Sequence, residues 1–261
     1  MKQRIITGVV AAALFLPIVY YSGLPLVLLT YFLATVGLYE LLKMKNLNIF
    51  SIHGILSILF LWVLIFPEKY SDFLDTFYYT KTELCIVIIL LLLAYTVITK
   101  NRFTFEDVSF SLLSALYVGI GFYFFFETRV DGGLVYILYS LFMIWATDSG
   151  AYFIGKALGR RKLWPEISPN KTIEGSLGGV VCAVIVAILF VLLTDIKGSI
   201  IAITIVLSVF GQIGDLVQSA FKRHFNVKDS GKILPGHGGI LDRFDSLIFV
   251  WPILHLFHLW S

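Results

Sequence analysis

The sequence predicts an all-α, polytopic integral membrane protein with about nine transmembrane helices. Three observations predict it. Of the 261 residues, 58% are hydrophobic and 14% charged, whereas a soluble domain carries about 25% charged residues, so the chain has too little charge to cover a soluble surface. The mean hydropathy is +0.89. The apolar residues also come in runs close to the roughly 20 residues that cross a bilayer as a helix.

Nine candidate spans follow in order, at 5–21, 24–42, 51–66, 84–99, 109–126, 134–155, 174–193, 199–220 and 245–260. The first follows Met1, Lys2, Gln3 and Arg4 and resembles a secretory signal. It runs almost directly into the second span with no convincing cleavage site, so it is read as a retained helix. Only Ser22 and Gly23 separate the first two spans, which predicts a tight helical hairpin. The third and last are short. Pro67, Glu68, Asp72 and Asp75 form an acidic connection, read as solvated. Cys85 and Cys182 sit in apolar runs and read as small hydrophobes, with no zinc spacing and no disulfide framework.

Basic residues give the orientation. With the N-terminus in the cytoplasm, sixteen of the 20 lysines and arginines fall on the cytoplasmic side, leaving Lys69, Lys81, Arg129 and Lys197 outside. This is the bias that positive-inside topology requires. The two most polar segments, 156–173 and 221–244, then face the cytoplasm. Net charge is only +3, with no basic face or tail, which argues against a nucleic-acid partner. The simplest organisation is one integral membrane domain, with residues 1–130 mainly scaffold and 131–261 the catalytic region.

Candidate chemistry lies in that second part. Asp148 and Asp215 fall near the cytoplasmic ends of spans, where an ionisable group is a functional candidate by default; a packing hydrogen bond is the plainer alternative. Asp215, Ser219 and Lys222 are spaced to share one helix face, and Asp242 and Asp245 would share another. Clustered carboxylates suit a hard cation such as Mg²⁺, and Asp242 and Asp245 could equally stabilise a helix N-terminus. Ser168, Asn170, Lys171, Thr172 and Glu174 lead into a helix start and hold the parts of a phosphate cradle, although the Walker order is missing. An N-cap at Thr172 or Ser168 explains the same residues. Glycines beside His237 would let the backbone approach a ligand closely, Arg243 could clamp a phosphate, and His237 could donate to one or orient a carboxylate. His53, His255 and His258 read as packing or interfacial residues, and His224 as a headgroup contact.

The stretch from Ser219 to Asp245, 27 residues, resembles the signature of the phosphatidate cytidylyltransferases. Ser168-Pro169-Asn170-Lys171-Thr172-Ile173-Glu174-Gly175 and Asp148-Ser149-Gly150-Ala151-Tyr152 resemble further elements of that family. The resemblance implies transfer of CMP from CTP to phosphatidic acid, giving CDP-diacylglycerol and pyrophosphate. It also implies a divalent cation, a homodimer, and a cavity open to cytoplasm and bilayer. A paired-metal site, with K⁺ a candidate second cation, would fall on Asp215 and Asp242 or Asp245, with Asp148 nearby. Lys171, Lys222, Arg223, Lys228 and Arg243 would contact phosphates, and Ser168, Asn170 and Thr172 would position them. Asp229 would hold a lysine or complete the metal shell. Cytidine preference rests on the resemblance alone. The expected location is a bacterial inner membrane. Two other functions compete: a CTP-dependent lipid kinase with similar phosphate chemistry, and a transporter using Asp148 and Asp215 as ion ligands. A transporter would place its polar groups nearer mid-membrane.

Overall fold

In hydrocarbon every backbone N–H and C=O must find a partner within the chain, and an α-helix supplies all of them within one segment. The computed structural model, which describes residues 2–70 and 78–260, is built accordingly. Nine α-helices occur among the described residues: α1 (Lys2–Tyr21), α2 (Gly23–Met44), α3 (Ile52–Leu64), α4 (Lys81–Ile98), α5 (Phe105–Asp131), α6 (Gly133–Leu158), α7 (Ile173–Leu193), α8 (Ile200–His224) and α9 (Leu241–Leu256). Six of them, α2 and α4 to α8, are long and apolar enough to cross a membrane. The protein is thus an all-α polytopic membrane protein. With 13 residues, α3 rises only about 20 Å against a hydrocarbon core of about 30 Å.

The helix starts are chemically marked. Thr80 and Glu83 form a capping box on α4. Thr104 and Asp107 do the same for α5, each side chain bonding the other's backbone N–H. Ser51 and Thr172 cap α3 and α7 by accepting from Gly54 N and Gly175 N. Between α1 and α2, Ser22 and Gly23 both take positive φ and turn the chain within the two residues expected. Glu68 pairs with Lys81 at 2.9 Å, while Asp72 and Asp75 of the acidic connection lie outside the described residues.

The chain forms two compact units, Met1–Phe126 with Asp229–Leu241, and Glu127–Lys228 with Asp242–Ser261. In the first, Leu26, Leu38, Leu41, Leu42 and Phe122 are wholly buried, and Lys45 pairs with Asp107 at 2.8 Å. His53 stacks on Phe103 with ring centroids 4.4 Å apart, which makes it a packing residue.

The second unit is organised on small residues. A Cβ added at Gly175 would lie 2.6 Å from Ala151 O, and one at Gly179 would lie 2.7 Å from Thr147 O, so α6 and α7 meet backbone to backbone. Buried hydroxyls tie α6 to α8 and α9. Tyr139 and Thr204 oxygens are 2.7 Å apart, those of Thr147 and Ser208 3.1 Å apart, and Trp251 Nε1 donates to Ser140 Oγ at 3.0 Å. Cys182 is a free thiol packed against Gly150.

Of the boundaries that differ from those expected from hydropathy, three bear on the polar segments. Residues 162–172 form a β-hairpin, β1 (Lys162–Trp164) with β2 (Ser168–Thr172), pairing Lys162 with Thr172 and Trp164 with Ser168. Pro165 and Pro169 exclude helix there, and strands this short carry no readable alternation. Helix α8 continues to His224, so Lys222, Arg223 and His224 occupy its last turn, where cations suit the carbonyl end of a helix. Helix α9 begins at Leu241 rather than 245, which puts Asp242 in its first turn.

If the α6–α7 seam holds the second unit together, Gly175→Ala should destabilise the protein by about 1–3 kcal/mol, as overpacking does. Thermal unfolding in detergent would show this against Gly198→Ala, where an added Cβ meets nothing within 4 Å and no shift is expected.

Candidate active site

The hairpin is fixed by its own ends. Thr172 Oγ1 accepts from Gly175 N at 3.1 Å. The Glu174 carboxylate, one residue into α7, accepts from Arg160 N at 3.0 Å and from Arg161 N at 3.2 and 3.3 Å. Ile173 N donates to Arg161 O at 3.0 Å. Glu174, expected among the substrate-binding residues, has its carboxylate engaged in holding the hairpin base. At the far end, Arg223 Nε donates to Ile167 O at 3.3 Å and latches the hairpin turn to the last turn of α8.

Beside the hairpin lies a cavity of about 580 Å³. Asp148, Tyr152, Lys156 and Gly155 of α6 form one side, Arg160, Lys162, Asn170, Lys171 and Thr172 come from the hairpin region, and Gln212 and Asp215 come from α8. Four cations thus border a space whose wall carries two carboxylates. Lys171 Nζ is 2.5 Å from Asp215 Oδ2. Gln212 Nε2 donates to Ser176 O at 3.3 Å, which ties α8 to α7 beside the cavity.

A second ion pair joins α8 to α9. Lys222 Nζ is 2.7 Å from Asp242 Oδ1, and the Asp242 side chain is only 6% exposed. Ser219 Oγ lies 3.5 Å from Asp215 Oδ1, so the expected face of Asp215, Ser219 and Lys222 is present. Gly214 brings α9 close, since a Cβ there would lie 2.5 Å from Asp245 O. Asp245 Oδ1 accepts from Ser246 N at 2.8 Å. The charges form one web: Asp148 interacts with Asp215, Lys171 and Arg243, and Asp245 with Asp215, Lys222 and Asp148.

The second unit therefore brings together Asp148, Asp215, Asp242, Asp245, Lys171, Lys222 and Arg243. Asn170 and Thr172 join Lys171 at the cavity, whereas Ser168, half-buried at the start of β2, does not line it. Lys228 is exposed beyond α8. Asp229 and His237 belong to the first unit. Asp229 is exposed, and a Cβ at Gly8 would lie 3.4 Å from the His237 ring, whose Nδ1 is buried without a hydrogen-bond partner. Gly236 and Gly238 both have positive φ. Their conformational freedom is spent on the turn around His237, a more direct reason for glycine than the approach of a ligand.

Four hard carboxylate oxygen donors of this kind suit Mg²⁺ in chemistry and charge. Among the described residues, however, no three His, Cys, Asp or Glu side chains converge to hold a metal; Asp215 and Asp242 hold lysines instead. Hydropathy reasoning also missed cavity residues. Lys156, Arg160 and Lys162 count only toward topology in the sequence, and their crowding into seven positions at the end of Asp148's helix is the available signal.

A sequence profile described as the Cytidylyltransferase family matches residues 2–260. The chain belongs to this family. Its members named phosphatidate cytidylyltransferase include one from Bacillus subtilis (strain 168), 53% identical over 260 residues, covering 98% of this chain and 96% of the relative. One from Staphylococcus haemolyticus is 49% identical, and one from Staphylococcus aureus (strain COL) 47%, each covering 98% of both chains. Similarity of this extent takes in α1 to α9, well beyond the 27-residue stretch ending at Asp245.

Removing the Thr172 cap should loosen the hairpin by about 1 kcal/mol. Thr172→Ala and Glu174→Gln should each raise amide hydrogen exchange across 160–172 while leaving α8 protected.

Proposed function

We propose that this protein is a phosphatidate cytidylyltransferase: it transfers CMP from CTP to phosphatidic acid, forming CDP-diacylglycerol and releasing pyrophosphate. The observation that carries the reading is the cavity bordered by Lys156, Arg160, Lys162 and Lys171 and walled by Asp148 and Asp215, in a membrane protein of this family. Both substrates are anionic phosphates, and a cavity with several fixed cations favours binding both.

In the reaction, a phosphate oxygen of phosphatidic acid attacks the α-phosphorus of CTP. The bond from that phosphorus to the bridging oxygen breaks, and pyrophosphate leaves with the electron pair. Phosphatidate arrives ionised, so positioning and charge stabilisation do most of the work. Lys171 and the cations of the hairpin hold phosphates in the cavity. Arg243 and Lys222 compensate charge beside α9, and Asn170 and Thr172 orient the oxygens. Arg223 fixes the hairpin through Ile167 O. Asp215, Asp242, Asp245 and Asp148 supply carboxylate oxygens of the kind that Mg²⁺ takes, with K⁺ as a candidate second cation, and would hold the ion once Asp215 and Asp242 part from Lys171 and Lys222; the bound ion would neutralise charge on the leaving group.

The expected setting is a bacterial inner membrane with the cavity facing the cytoplasm, supported by the one-sided distribution of lysine and arginine. Residues 131–261 would be the catalytic region and the first 130 mainly scaffold. The resemblance to the family supports a homodimer.

The test uses purified protein with phosphatidic acid, Mg²⁺ and CTP labelled separately at the α- and γ-phosphates. Entry of α-label into lipid with γ-label in pyrophosphate is the expected result; γ-label in lipid would mean a kinase. Asp242→Asn and Asp245→Asn should each lower turnover by about 10²-fold or more, the scale of losing one charge-stabilising group, with the protein still folded and inserted. Near-normal turnover in both variants would remove these residues from the mechanism. Replacing Lys156 and Lys162 by Ala should mainly raise the KM for a phosphate substrate, which initial-rate kinetics would detect.

A further inference from the structure

Glu40 stands in α2, four residues before its end at Met44, and is wholly buried. A buried carboxylate is tolerated only when donors fill its oxygens. Ser230 Oγ donates at 2.9 Å, Ile240 N at 2.8 Å and Leu241 N at 3.0 Å. These donors come from both ends of the segment 229–241, so one side chain closes that segment into a loop. Ile240 and Leu241 also present the backbone N–H groups that a helix start leaves unpaired, where negative charge is favoured. Helix α9 is therefore capped by a residue 200 positions earlier in the chain.

Two glycines have room for this carboxylate as their reason. A Cβ at Gly231 or Gly239 would collide with the Glu40 side-chain oxygens. Neither glycine has positive φ, so backbone conformation does not demand glycine at these positions.

We infer that Glu40 is a positioning residue for the transfer reaction, fixing the start of α9 and so the direction of Asp242, Arg243 and Asp245 on its first turns. Loss of this cap would fray the first turn of α9, and Asp242 would lose the direction that brings it within 2.7 Å of Lys222 on α8. Glu40 itself need touch no substrate. The inference rests on the reaction proposed above.

The test compares full-length wild type, Glu40→Gln and Gly231→Ala in detergent, following CMP transfer and amide hydrogen exchange together. Glu40→Gln keeps the volume but places an NH₂ group where backbone N–H groups seek an acceptor. The expected result is loss of protection confined to 230–241. It is accompanied by a fall in kcat on the order of a hundredfold, the scale of a misplacement of about 1 Å, with KM for CTP within about threefold. Gly231→Ala, which crowds the same carboxylate from the loop, should repeat this pattern and decides the matter should Glu40→Gln fail to fold. In a Glu40→Ala background, Gly231→Ala should add no further loss, because contacting residues are not additive. Deprotection of 230–241 with unchanged kcat, or full additivity of the two substitutions, would overturn the inference. Absence of CMP transfer by wild type would instead sink the proposed reaction, and the exchange data would still judge the clamp.

Discussion

Close approach of helix backbones is the constraint from which the second unit follows. Helices in a bilayer gain little by excluding lipid from one another, so their association relies on packing at short range and on interhelical hydrogen bonds. Gly175 and Gly179 let α7 lie on the carbonyls of α6, and Gly214 lets α8 touch the backbone of α9 at Asp245. A side chain at any of these points would separate elements that carry Asp148, Lys171, Asp215 and Asp245. The hydroxyl pairs of Tyr139 with Thr204 and Thr147 with Ser208 then fix rotation about the seams, which small residues alone would leave loose.

Close packing creates an electrostatic problem, because it gathers carboxylates where the medium screens poorly. The structure balances them with Lys171 on Asp215 and Lys222 on Asp242. Those lysines are also the cations that an arriving phosphate would seek. Under the proposed reaction, substrate and carboxylate compete for the same ammonium groups, and a divalent ion would relieve the carboxylates as the lysines turn to phosphate. The web is thus held in balance by groups that the substrates can replace.

The fold was largely legible in the sequence because hydrocarbon leaves the backbone few options. Runs of apolar residues marked all nine helices, and the expected two-residue turn at Ser22 and Gly23 is present. Boundaries near water were less legible. The span is expected to end at 220 because charge ends a hydropathy run, although it does not end a helix; α8 continues through Lys222, as its spacing from Asp215 implies, and on through Arg223, and uses their charge at its C-terminal turn. The hairpin was hidden because five residues of β2 cannot show a period. Of the site, Asp215, Lys222 and Asp242 were readable from spacing and motif. Lys156, Arg160 and Lys162 were not, since a basic cluster after a span has topology as a sufficient explanation until the hairpin folds it around a cavity.

Glycines show most clearly where composition stops being informative. Four of them between Gly231 and Gly239 could be read alike, as places where a backbone nears a ligand. The structure divides them into two kinds. Gly236 and Gly238 satisfy positive φ on either side of His237, whereas Gly231 and Gly239 vacate the volume that the Glu40 carboxylate fills. The second kind cannot be deduced from the loop, because its cause lies in α2, in an acid flanked by Tyr39 and Leu41. A single carboxylate in an otherwise apolar span was the visible sign: such a group persists only where donors await it, and a segment rich in backbone N–H groups freed by glycine and a helix start is where those donors are found.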